Sequence, residues 1–434
     1  MASQTRTKAI SPAGSSRRSF CYGAAAIAVT GCAGLRRLAA QMAAPAATPT
    51  RPDVAAIDHD RILTAAKQYL TQQPMPLTAL VCPRSPGTAH DYYSEAEPTS
   101  TATAADATAK ASTATQPFTA HRDALFALGL QVPALAAAHL LTGDASFAKR
   151  AMLHLRAWFI DPATRMTPRL DYGQSAIHTP GAATGGSFSG IIETLPLVEV
   201  AQAIPFLAAS NAMSEADLKA LHAWFAEYLR WLAEPQDSGP RLAALARDRR
   251  DHHGTSWMLQ VSAYSLLTAP ENGAPKAEAK SMDDLRHRFR TVTLRAQITA
   301  EGKFPRELSS EMPFRDSLFN LDMLAAICNL LSTRFESVWD YELEDGPGVR
   351  AAIAYHFPYI ANRTSWPFRA DIAHFKELPG RRASLLFAAR AYQRPEYAAL
   401  WKTLSPDGPF APEVLRTIPI QQPLLWVRQP PRAG

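Results

Sequence analysis

The sequence predicts an all-α chain that closes into an incomplete α/α toroid, a barrel of paired antiparallel helices. Three observations predict it. Apolar residues recur three and four apart over roughly three hundred residues from about Ile57 onward, no run of alternating strands interrupts them, and helix start and stop signals punctuate the pattern. Successive amphipathic hairpins need a partner on each apolar face, and a ring of paired helices supplies one. No repeat of fixed period points to a consensus solenoid instead.

Taken in chain order, residues 1–31 read as an address. Ser16-Arg17-Arg18-Ser19-Phe20 matches the twin-arginine export pattern, and the apolar stretch from Cys21 to Gly31 is too short to span a bilayer. Val29-Thr30-Gly31-Cys32 has the form of a lipoprotein processing box, which would leave a lipid anchor on Cys32; cleavage among the alanines between Ala39 and Ala47 is the alternative. Residues 32–56 follow as a linker, and 57–428 as a single toroid domain. This organisation would place the protein in the periplasm or cell envelope. The net charge of +6 falls to +2 once Arg6, Lys8, Arg17 and Arg18 leave with the signal, which disfavours a nucleic-acid partner.

The helical segments predicted are Arg122 to Leu141, Ala145 to Phe159, Ile191 to Ala208, Ser214 to Ala233, Thr255 to Leu267, Leu318 to Leu331 and Glu396 to Leu404. Ser214 with Asp217, and Ser281 with Asp284, have capping-box spacing. Leu141-Thr142-Gly143-Asp144 has the chemistry of a tight helix–helix turn, and Pro395 suits a first helical position. Residues 98–117, almost entirely Thr, Ala and Ser, read as a mobile loop. Trp366-Pro367-Phe368 and Gln421 to Trp426 read as extended chain packed on the helices. Tyr92, Tyr93, Trp224, Tyr228 and Trp231 read as core, and His121 as a surface cap. Nothing in the sequence says that Cys82 and Cys328 meet.

The densest polar cluster is Arg247-Asp248-Arg249-Arg250-Asp251-His252-His253-Gly254, just before the apolar helix. Cations beside a helix N-terminus can hold an anion together with free backbone amides. His253 titrates near neutral pH, as a general base should. A solvated, charged loop between helices is the alternative reading. No metal or other cofactor is expected: there is no C-x-x-C pair, and Asp251, His252 and His253 lack a second ligand cluster of recognised spacing.

At this point the sequence resembles the alginate lyase-like polysaccharide lyases, whose fold is an α/α toroid. The resemblance runs from about Ile57 to Trp426. It is carried by His90-Asp91-Tyr92-Tyr93-Ser94-Glu95, Leu141-Thr142-Gly143-Asp144, Ala157-Trp158-Phe159-Ile160-Asp161-Pro162, Tyr172 to Gln174, Gly190 to Thr194, His253-Gly254-Thr255, Pro305-Arg306-Glu307-Leu308 and Ser317 to Asp322. It implies β-elimination on a uronic acid, in an acidic polysaccharide or oligosaccharide. The enzyme must neutralise a carboxylate, remove the C5 proton beside it and protonate the departing glycosidic oxygen.

The family fills these roles with an Asn-His pair followed by glycine, a downstream Arg, and a Tyr six residues beyond it. Here His253 matches the histidine, whereas His252 stands at the Asn position, Ser310 at the Arg position and Asp316 at the Tyr position. A family arginine near Gly185-Gly186-Ser187 is also missing. The expectation is therefore a catalytic set of His253 as base, His252 protonated against the substrate carboxylate, and Asp316 as acid, with helix capping as the other reading of Asp316. Arg315 or Arg306 would replace the lost cation. Tyr172, Gln174, Arg247 and Arg249 complete the expected substrate-binding residues. Two other functions fit the same residues: a uronate-binding protein of this fold that has lost catalysis, and a glycoside hydrolase pairing Asp316 with Glu307 or Asp171.

Overall fold

A computed structural model describes residues 51–96, 116–176, 185–233, 242–269 and 276–429, with side chains from residue 282 in the last stretch. The export signal, Cys32 and most of the 98–117 segment lie outside the described residues. The helices are α1 (Val54–Tyr69), α2 (Ala120–Thr142), α3 (Ala145–Leu155), α4 (Leu197–Ala208), α5 (Glu215–Ala233), α6 (Leu242–Arg247), α7 (His252–Thr268) and α8 (Lys276–Arg288). They continue with α9 (Leu294–Gln297), α10 (Pro305–Leu308), α11 (Pro313–Leu331), α12 (Val349–Ala361), α13 (Ala383–Tyr392), α14 (Pro395–Thr403), α15 (Pro412–Leu415) and α16 (Leu424–Val427). Two short strands, β1 (Tyr93–Glu95) and β2 (Tyr172–Ser175), pair in parallel.

The packing order makes the toroid. Helices α2, α4, α7, α11 and α13 touch one another in succession as an inner ring, while α1, α3, α5, α12 and α14 each back onto an inner neighbour. Inner helices are enclosed on all sides and their composition follows: α7 buries every residue from Gly254 to Tyr264, and α11 buries Leu318 through Cys328. A helix apolar or small around its whole circumference has no solvent face to keep wet. The ring is left open between α13 and α2, and the C-terminal segment fills that seam, with α16 against α1, α2 and α4.

A buried carboxylate ties the seam. Glu199 on α4 accepts the backbone N–H groups of Gln421 (2.7 Å) and Gln422 (3.0 Å) and the indole N–H of Trp426 (3.1 Å). Burial pushes its carboxyl up to about 7. Glu199→Ala strands three donors at once and should destabilise the fold by at least about 3 kcal/mol, since each buried unpaired group costs about 1–3 kcal/mol. A lower urea midpoint would register the loss; an unchanged midpoint would show that water or repacking satisfies the donors.

Local signals hold at several ends. Gly143 adopts φ 71° at the α2–α3 turn and Asp144 caps α3. Ser214 and Asp217 form the capping box in both directions, and Pro395 opens α14. Other boundaries move. The Ser281 cap is not a helix start, because α8 begins at Lys276. Residues Ile191 to Ala208 divide into a 3-10 turn, Phe188–Ile192, and then α4. The Gln421 to Trp426 stretch includes α16 rather than extended chain alone. His121 is buried, accepting the backbone N–H of Tyr93 (3.0 Å) and lying 2.6 Å from the carbonyl of Leu80, so it is no surface cap. Cys82 and Cys328 are both buried and free.

Candidate active site

The histidine pair is set by the first turn of α7, which starts three residues before its predicted beginning because Asp251 caps it. The Asp251 carboxylate accepts the backbone N–H of His253 (3.1 Å). Gly254 lets this turn fold tightly: a Cβ there would meet the carbonyl oxygen of Arg249 at 2.2 Å. Both imidazoles are mostly enclosed, with side chains 14% exposed, and their rings stack with centroids 4.3 Å apart.

Their partners separate them chemically. His253 Nδ1 lies 3.0 Å from Asp251 Oδ1, so Nδ1 keeps its proton and donates it in a hydrogen bond to the carboxylate, leaving the lone pair on Nε2. No hydrogen bond reaches that Nε2 among the described residues. His252 Nδ1 lies 2.9 Å from Glu307 Oε2, while its backbone N–H donates to Glu307 Oε1 (2.7 Å). Burial holds His253 below the usual histidine range, with the charges of His252 and Arg249 adding to it against the pull of Asp251. Burial also works against charge on His252, but the Glu307 carboxylate beside it, then Asp316 and Asp251, raise it above that range. One imidazole is thus biased neutral and its neighbour cationic.

Glu307 is 1% exposed, and burial drives its carboxyl upward. Asn320 Nδ2 donates to Glu307 Oε1 (3.1 Å) and to Gln297 Oε1 (3.1 Å), and Gln297 Nε2 donates to the Asp251 carbonyl (3.0 Å). This network joins the Glu307 carboxylate to the backbone carbonyl of Asp251 behind the histidines. His252, Glu307 and Asp316 offer donor atoms within 4.8 Å of one another. Both Glu307 oxygens and His252 Nδ1 are already engaged in hydrogen bonds, so the cluster is better suited to holding a proton than a metal ion. The same engagement turns Glu307 inward, away from the role of a hydrolase carboxylate.

Asp316 lies in the first turn of α11, whose N-cap is Met312, so the helix starts at Pro313 and Asp316 does not cap it. Its Oδ2 accepts the Ser310 hydroxyl (2.7 Å) and its Oδ1 accepts Arg315 Nε (2.9 Å). The two residues standing at the expected Arg and Tyr positions are therefore bonded to each other. Arg315 and Phe319 continue into a cavity of about 240 Å³ that Gln174, Glu193 and Arg416 also line. Gln174 is held at φ 52° with its backbone N–H on Ser94 Oγ (2.8 Å) and its side chain toward Glu193 (3.4 Å). A second cavity of about 590 Å³, beside His90 and Trp224, includes none of the predicted residues.

The structure brings His252, His253, Asp316 and Arg315 together, with Arg249 attached through Asp251 (3.0 Å) and lying over Phe188, whose ring meets His253 edge-on. Arg247 turns to Asp248 (2.8 Å) instead. Arg306 is exposed, with no ion pair among the described residues. Tyr172 sits half-buried in β2 opposite Tyr93 and is not on the cavity wall. Asp171 accepts the indole N–H of Trp231 (3.1 Å), which removes it from any pairing with Asp316. The supporting roles of Asp251, Gln297 and Asn320 were not anticipated. An Asp followed two residues later by the helix's second residue was the available signal for Asp251.

The sequence profile of the family described as Alginate lyase matches residues 78–366. Among curated proteins, none matches the chain. Among solved structures, the chain is similar to an alginate lyase from Bacteroides ovatus, with a TM-score of 0.68 and 22% identity, covering 84% of this chain and 93% of that one; at that identity the likeness is one of fold. It is also similar to alginate lyase A1-III from Sphingomonas species A1, with a TM-score of 0.44 and 11% identity over 85% and 95% of the two chains. A form of alginate lyase A1-III complexed with a tetrasaccharide gives a TM-score of 0.48 and 10% identity over 85% and 94%.

Proposed function

This chain belongs to the alginate lyase family of polysaccharide lyases, and we propose that it is an exported enzyme that cleaves a uronic-acid polymer by β-elimination with its two adjacent histidines sharing the work. The observation that carries this reading is a pair of stacked imidazoles with different partners, His253 Nδ1 on the helix-capping Asp251 and His252 Nδ1 on the buried Glu307 carboxylate, which favours the cation at His252. His252, charged and donating through Nε2, pairs with the uronate carboxylate and makes the C5 proton more acidic. His253 Nε2, with Nδ1 tied to Asp251, accepts that proton. The electron pair left at C5 forms the C4–C5 double bond as the C4–O bond breaks.

Protonation of the departing oxygen falls to His253 or to Asp316. Asp316 accepts from both Ser310 and Arg315, an arrangement suited to steadying a cation. His253 carries the C5 proton once it has been removed, so we assign it the return of that proton as well. Arg315 and Gln174, on the cavity wall, would hold the flanking sugar. The twin-arginine pattern in residues 1–31 supports action in the periplasm or envelope.

The test is incubation of the purified chain with alginate, polyglucuronate and related polymers while ultraviolet absorbance and reducing ends are followed together. Elimination raises both signals in step. New reducing ends without absorbance would mean hydrolysis, and binding without either signal would mean a glycan-binding protein; each outcome sinks the lyase reading.

A further inference from the structure

A cation that the sequence lacks at position 310 is supplied there by another segment. Residues 366–372 form an exposed tongue with buried roots: Trp366 is 8% exposed and Asp371 6%, while the four residues between them are exposed. The Trp366 indole N–H donates to the Arg369 carbonyl (3.1 Å). Asp371 accepts the backbone N–H groups of Phe314 (2.8 Å) and Arg315 (3.0 Å), and the Ile372 N–H donates to the Glu311 carbonyl (3.3 Å). These bonds fix the tongue to the first turn of α11, which carries Arg315 and Asp316.

From this tongue the Arg369 guanidinium donates to the backbone carbonyl of Ser310, whose hydroxyl is bonded to Asp316. Arg247, Arg249 and Arg315 each have an aspartate partner. Arg369 has no carboxylate partner among the described residues, and its remaining N–H groups are available, since a guanidinium has five donors. Beside it Phe368 is 37% exposed and meets Trp366 with ring centroids 5.1 Å apart. An uncompensated guanidinium matches a carboxylate with two parallel hydrogen bonds, and an exposed aromatic ring suits the apolar face of a pyranose.

We infer that the 366–372 tongue is a uronate subsite beside the histidine pair, in which Arg369 holds the carboxylate of a bound sugar and Phe368 supports its ring. The inference rests on the reading of this cleft as uronate-binding.

Calorimetric titration with hexasaccharides of mannuronate, guluronate and glucuronate tests it, using the chain carrying His253→Ala so that no probe is consumed. At least one hexasaccharide should bind, and adding Arg369→Ala should weaken it about tenfold, the loss of about 1.4 kcal/mol expected for one charge-assisted contact. Arg369→Lys should recover part of the loss, and a carboxyl-reduced hexasaccharide should bind both chains alike. The KM of the chain with His253 intact should rise in parallel, with kcat less affected. Unchanged affinity and KM after Arg369→Ala, or an equal loss with the reduced sugar, overturns the subsite and leaves the lyase reading standing. Failure of every uronate hexasaccharide to bind overturns both.

Discussion

His253→Ala removes the absorbing product almost entirely, lowering kcat by about 10²–10⁴, the range a positioned general base contributes. The size of the effect follows from the geometry. Asp251 accepts the Nδ1–H of His253 and caps the helix that carries it, so one carboxylate fixes both the tautomer and the place of the Nε2 lone pair. The neighbouring imidazole is a poor substitute, because the Glu307 carboxylate beside it favours the protonated form of His252. Single-turnover kinetics on the polymer that the chain cleaves would measure the loss. Retention of more than about a tenth of the rate would remove His253 from the chemistry.

The second large effect concerns Glu307, which is buried against His252. The proposed mechanism needs His253 deprotonated and His252 protonated. The acid limb of the pH–rate profile therefore reports His253 and lies below the ordinary 6.5, and the alkaline limb reports His252 and lies above it. Glu307→Gln removes the charge that holds the His252 proton, so the alkaline limb moves to lower pH while the acid limb stays nearly in place. On the alkaline side, activity falls about tenfold for each pKa unit lost. His252→Asn, which installs the residue expected of the family at that position, should abolish the alkaline limb because an amide does not titrate. An alkaline limb unmoved by either substitution would assign it to another group.

Much of the ring was legible because local chemistry specified it. Gly143 in its left-handed turn, the Ser214–Asp217 box and Pro395 each act within a few residues of themselves. The start of α7 was less legible, since the apolar period begins at Thr255 whereas the helix is opened by the polar Asp251-His252-His253 run. The start of α11 was missed for the related reason that Pro313 and Phe314 precede Asp316, which looks like a cap in isolation.

The adjacent histidines were visible in the sequence; the difference between them was not. His252 meets Glu307, 55 residues away, and His253 meets Asp251, two away, so only the tertiary fold decides which imidazole faces the buried carboxylate. The segment around Trp366 read as packed chain without chemistry. Its relevance comes from the bond between Arg369 and Ser310, across 59 residues.

In the proposed mechanism, neighbouring imidazoles of one helical turn hold opposite charge states at neutral pH. Titrating the chain by NMR, with the imidazole nitrogens of His252 and His253 labelled and assigned, measures this without any substrate. Two separate midpoints are expected, His253 below 6.5 and His252 above it, with His253 Nδ1 protonated throughout. Coincident midpoints, or the reverse order, would contradict the division of labour between the two residues.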